Sequence, residues 1–164
     1  MRLMLEQNRE LLEALQAGNM RSEAIVPSLL PEPFNDMQEF TSFDETIQEA
    51  TRDQLIANLK SFGGDNVSCN TRRVLEYLMT DNVAQNYSWI GNKGKKKFCE
   101  LKVKQIITDA VRSNPKFTAT VDDVEREIKK WLQHASCRIK LRQKKVQAIV
   151  IKHDRIYAYN LCSL

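Results

Sequence analysis

The sequence has no stretch approaching the roughly 18 consecutive apolar residues that a membrane-spanning helix requires. Its opening run, Met1 to Gln7, breaks into charge before a signal-peptide core can form, so work inside a cell is expected. Histidine is nearly absent, with two residues, and the four cysteines Cys69, Cys99, Cys137 and Cys162 are spaced 30, 38 and 25 apart without a Cys-x-x-Cys pair. This excludes the spacing of a zinc finger and the density of a secreted disulfide framework, and reads as reduced, partly buried thiols. His134 and Cys137 share a helical face, but no third ligand accompanies them in sequence, so no metal is expected.

Catalytic motifs are equally scarce. Gly91-x-x-Gly94-Lys95 lacks the Walker spacing, and Lys96 stands where a phosphate loop needs Ser or Thr. Asp122, Asp123, Glu125 and Glu127 suit the first turns of a helix better than a catalytic carboxylate pair. The reading is a non-enzyme with no cofactor.

What is present is the composition of a soluble globular chain: 164 residues, 42% hydrophobic and 28% charged, with a net charge of +4. That length suits one domain with a tail. The net charge hides a division, because residues 1–60 carry five Lys/Arg against eleven Asp/Glu, whereas residues 61–164 carry twenty against ten. A basic excess of that size favours a polyanionic partner without distinguishing DNA from RNA or an acidic protein.

Residues 1–17 place Met4, Asn8, Leu11 and Leu15 on a heptad-like seam, the pattern of an oligomerising helix or of an ordinary docked one. Residues 18–39, with Pro27, Pro31 and Pro33, read as a linker. The folded domain is expected over 40–145. Ser42 with Glu45, and Thr51 with Gln54, offer capping boxes for one bent helix or two short ones ending at Gly63-Gly64. Helices follow over 71–79 and from Leu101 to about Asn114, with a short turn over 81–86. A long helix capped by Thr120 carries Val121, Val124, Ile128, Leu132, Ala135 and Ile139 on one side. Residues 146–164 read as a C-terminal β-hairpin or extension, because two apolar runs flank a turn-like Lys152 to Arg155. The fold class expected is mainly α, a compact helical bundle with that hairpin appended.

Two basic patches stand out. The first is Lys93, Lys95, Lys96 and Lys97, joined by Lys102 and Lys104, in a loop flanked by Gly91 and Gly94 that permits close approach to a phosphate backbone. The second is Lys129, Lys130, Arg138, Lys140, Arg142, Lys144 and Lys145. Arg138 and Arg142 lie one helical turn apart, where they can reach a groove together; phosphate contact explains the same residues equally well. A solvated basic face or a protein contact is the alternative for the first patch. Trp131 reads as core, and Tyr87 and Trp89 as anchors of the loop.

The runs Arg72–Met79, Asn86–Phe98 and Lys129–Ala135 resemble an uncharacterised helical domain family abundant in insect and other animal proteins. The order of the leucine-rich helix, the glycine–lysine loop, the Leu101–Val111 helix and the run Cys137–Arg142 also resembles the BEN domain. That resemblance implies an all-helical, BEN-like module of chromatin or transcription proteins in the nucleus, with DNA approached by the C-terminal helix and adjoining basic segments. The expected partner is double-stranded DNA, with chromatin proteins and a second copy of the chain as further candidates, and no membrane. The expected DNA-binding residues are Lys93, Lys95, Lys96, Lys97, Lys129, Lys130, Arg138, Arg142, Lys144 and Lys145. The alternative is a protein-interaction or oligomerisation adaptor without specific DNA recognition.

Overall fold

A computed structural model describes residues 30–161, with side chains described through Ile149. The heptad-like segment over 1–17 lies outside the described residues. Seven helices and one small sheet follow in order: α1 (Met37–Thr46), α2 (Glu49–Ser61), α3 (Val67–Leu78), α4 (Asp81–Ala84), β1 (Tyr87–Ser88), β2 (Lys96–Lys97), α5 (Lys102–Arg112), α6 (Val121–Gln133) and α7 (Ala135–Leu161).

The packed chain is already engaged at Leu30, which is buried, and Phe34 pairs with Met79 through a backbone bridge. Part of the stretch that reads as a linker is therefore folded against α3. Asp36, rather than Ser42, starts α1 by accepting hydrogen bonds from the Gln38 and Glu39 amides at 2.7 and 3.0 Å. The expected two-helix solution is realised as α1 and α2, and no side chain caps α2. Asn66 caps α3 by accepting from the Cys69 amide at 2.8 Å. The turn before α3 is tight: a Cβ at Gly64 would lie 2.7 Å from the Asn70 nitrogen, so only glycine lets the backbones approach.

The helices surround one apolar core. Val103, Ile106, Ile107, Ala110 and Val111 are buried at helical spacing on α5, facing Leu55 and Leu59 of α2 and Val74, Leu75 and Leu78 of α3. Phe34, Phe40, Tyr87 and Phe98 form a chain of edge-on rings with centroids 5.7 to 5.9 Å apart, tying the sheet to α1. Buried Asp44 reaches across from α1 to accept from the Val103 and Lys102 amides at 2.8 and 3.2 Å. It thereby satisfies the start of α5, whose own N-cap residue, Leu101, has no capping side chain.

Two expectations are corrected at the C-terminal end. The long helix capped by Thr120 stops at Gln133; its cap is the complete box with Asp123, as the sequence suggests. Arg138 explains the break, because its guanidinium folds back and donates to the Trp131 carbonyl at 2.8 Å, in the last turn of α6. Beyond it the C-terminal hairpin is absent, and α7 runs unbroken as helix from Ala135 to Leu161. No glycine or proline occurs after Pro115, so nothing interrupts a helix there. Lys152 to Arg155 also lacks the Asn-Gly or Asp-Gly pair that a two-residue hairpin turn favours. The Ile and Val residues that suggest strands cost a helix only about 0.5 kcal/mol each.

Candidate nucleic-acid interface

β1 and β2 pair in parallel although only seven residues separate them, with Tyr87 opposite Lys96 and Ser88 opposite Lys97. A parallel pair ordinarily needs a long crossover. Here the chain curls back within residues 89–95 through three left-handed residues, Gly91 (φ 80°), Lys93 (φ 58°) and Gly94 (φ 73°). Holding a lysine in that conformation costs about 1–2 kcal/mol. The Phe98 amide donates to the Ser88 carbonyl at 2.9 Å and the Cys99 amide to the Trp89 carbonyl at 3.2 Å, which ties down the returning strand.

The curl opens a groove of about 380 Å³ against α6, lined by Ser88, Trp89, Asn92, Lys93, Lys95 and Lys129 among others. The Lys129 ammonium sits over the Trp89 ring, 4.4 Å from its centroid, and 3.7 Å from Glu125. Of the loop lysines, Lys93 and Lys95 line the groove, whereas Lys96 donates to Thr41 Oγ1 at 3.2 Å and Lys97 to Glu100 at 2.7 Å. The Glu100 hydrogen bond holds the Lys97 ammonium above its usual pKa. Burial pushes the Tyr87 phenol upward, against the hydrogen bond it shares with Thr41.

Of the lysines that join the first patch in sequence, Lys102 is drawn into the fold, where its ammonium donates to the Glu45 and Ile47 carbonyls, and Lys104 lies 3.4 Å from Glu125. The second patch divides. Lys130 donates to Glu127 at 2.8 Å. That bond, with a weaker contribution from Ser68, outweighs partial burial and lowers the Glu127 pKa. Arg138 and Arg142 do converge, but on Asp81 at the start of α4. Arg138 Nε donates to Asp81 Oδ1 at 2.7 Å, its Nη2 is 2.6 Å from the same oxygen, and Arg142 Nη1 is 3.2 Å from Oδ2. The Nη2 and Oδ2 atoms are ion-pair contacts without hydrogen-bond geometry. Arg138 also stacks on Trp131, 4.3 Å from its ring centroid. This cluster docks α7 on the body.

From Lys140 to Ile149 every residue of α7 is exposed. Residues 135–153 hold no Asp or Glu, so Lys140, Arg142, Lys144 and Lys145 form a helical segment of one sign. At 3.6 residues per turn Lys140 and Lys144 fall on the side opposite Arg138, while Lys145 falls on the same side as Arg142.

Sequence reasoning missed Asp81, Ser88, Asn92 and Gln133. Asp81 looks like an ordinary helix-start acid, and its role depends on a helix more than fifty residues later. The curl beside Asn92 carried a usable signal in Gly91 and Gly94, since glycine adopts left-handed backbone freely.

A mainly helical domain carrying a curled basic loop and an exposed basic helix is thus defined by its own geometry. The family model described as a domain of unknown function, DUF4806, matches residues 28–110, and the chain belongs to that family. The match takes in α1 to α4, the sheet with its basic loop and most of α5, and excludes α6 and α7. No curated protein matches the chain, and no solved structure matches it.

Proposed function

We propose that this chain is a non-catalytic module that binds double-stranded DNA, with α7 lying along a groove and the curled loop fixing it to the backbone. The observation that supports this best is the acid-free, fully exposed stretch of α7 from Lys140 to Lys145. A helix in the major groove is walled by phosphates on both sides. Lys140 and Lys144 on one side of the helix, with Arg142 and Lys145 on the other, supply cations for both walls. Arg138 serves the reading indirectly, by holding α7 on Asp81. The resemblance read in the sequence to the BEN domain suggests the same setting, a chromatin or transcription protein in the nucleus.

A second reading has its own observation. Leu141, Val146 and Ile149 are 54%, 61% and 67% exposed, and they continue the side of α7 that carries Arg138 and Arg142. Such a face suits a second copy of the chain or a chromatin protein, the behaviour of an adaptor. Selection from a randomised duplex library at near-physiological salt separates the two. An enriched motif, lost when Lys140, Lys144 and Lys145 are replaced by Gln, supports DNA recognition. Concentration-dependent self-association without duplex binding, abolished by Val146→Asp, supports the adaptor.

A further inference from the structure

We propose that the groove beneath the curled loop is a seat for a single backbone phosphate, recessed so that it accepts the phosphate and rejects a base. The inference rests on the DNA-binding reading, which it sharpens into a defined site.

The groove is built for an anion. Lys93, Lys95 and Lys129 line it, and no Asp or Glu does. Asn92 and Gln133 add amide donors to the same lining. Ser88 also lines it, and its hydroxyl is buried without a hydrogen-bond partner. A buried hydroxyl left unpaired is costly, and an oxyanion oxygen satisfies it. The loop accepts a left-handed lysine at Lys93 between two left-handed glycines. Strain of that kind persists at ligand clamps, where it holds a side chain where the ligand needs it.

The groove also discriminates. Trp89 is the aromatic ring on which a base would be expected to stack, but the Lys129 ammonium already occupies a position 4.4 Å from its centroid. That cation covers a ring face that stacking would require, and offers positive charge in its place. A phosphate fits this arrangement and a nucleobase does not. Among the loop lysines, Lys97 is engaged with Glu100, which leaves Lys93 and Lys95 as the loop's contribution to the seat.

The test uses the full chain, isotopically labelled, and follows the Trp89 indole and the Ser88–Lys95 amides by NMR. Inorganic phosphate is titrated at constant ionic strength, with chloride as control. Saturable shifts with phosphate alone, lost in Lys95→Gln and weakened in Ser88→Ala, are expected; shifts that chloride reproduces, or none, overturn the seat. In a second arm, duplex DNA is bound across a salt series. The slope of log affinity against log salt should fall by about one when Lys93→Gln and Lys95→Gln are combined, because both act on one phosphate. An unchanged slope overturns the assignment of the seat to DNA. Saturable phosphate binding with no duplex binding at any salt leaves the anion seat standing and refutes the DNA reading, so the two failures are told apart. Retained helical circular dichroism in each variant confirms that folding is not the cause.

Discussion

Arg138 and Arg142 look equivalent in sequence, one helical turn apart on a basic helix, yet the structure gives them unequal tasks. Both meet Asp81, whose side chain is 3% exposed; Arg138 is 25% exposed there and Arg142 67%. Replacing Arg138 by Ala leaves a buried carboxylate with only the 3.2 Å contact from Arg142, and removes the bond to the Trp131 carbonyl and the stack on its ring. Breaking a buried pair costs about 3–5 kcal/mol, and the partial exposure of Arg138 places its loss near the lower end, at about 3 kcal/mol. Arg142→Ala removes a largely solvated contact and should cost about 0.5 kcal/mol. For a chain of this size each kcal/mol moves Tm by about 3 °C, so the two variants should melt roughly 9 °C and roughly 2 °C below the parent. Thermal unfolding followed by far-UV circular dichroism measures both. A double-mutant cycle with Asp81→Ala should return a coupling of about 2 kcal/mol for Arg138 and under about 0.5 kcal/mol for Arg142. Equal, small losses for the two arginines would refute the docking role of Arg138.

Three further outcomes follow from the same geometry. Gly91→Ala should destabilise by about 1–2 kcal/mol in chemical denaturation, because Gly91 has φ 80° and a Cβ there would lie 2.9 Å from Lys97 Cγ and 3.1 Å from the Lys95 carbonyl; a neutral result would mean the loop does not hold its left-handed curl. Thr120→Ala removes the side chain that accepts from the Asp123 amide and should cost about 1 kcal/mol, read from the denaturation midpoint. Acidification should also weaken the fold. Asp123 is lowered chiefly by its hydrogen bonds from Thr120, and Glu127 chiefly by the one from Lys130. Each depressed carboxylate contributes stability above its unfolded pKa and loses it as the pH falls through its folded one. Stability measured below neutrality should therefore decline across the carboxylate range, and Thr120→Ala should flatten part of that decline.

Much of this molecule was legible in its sequence. The apolar spacing of Val103, Ile106, Ile107 and Val111 marked α5, and Thr120 with Asp123 marked the start of α6, because both signals are local. The kink at His134 was not legible, since it depends on Arg138 folding back to the Trp131 carbonyl and forward to Asp81, a residue distant in sequence. The C-terminal hairpin misled for a different reason. Its β-branched residues favour strands only weakly, whereas the absence of any glycine or proline to turn the chain decided for helix. The basic patches were visible as composition, but their division was not fully so: Lys97 and Lys130 meet carboxylates three residues away in sequence, whereas Arg138 and Arg142 meet Asp81 only through the fold, and Lys140, Lys144 and Lys145 stand exposed on a helical stretch without acids.

Duplex affinity measured against salt tests the central proposal most directly, with the full chain beside a Lys140→Gln, Lys144→Gln, Lys145→Gln variant. Five phosphate contacts, from these three lysines, Arg142 and the single phosphate of the loop seat, predict a log–log slope of about −4.5 for the parent, and about −2 for the variant. A chain that fails to bind duplex DNA at low salt, or a variant whose slope equals the parent's, would contradict the account.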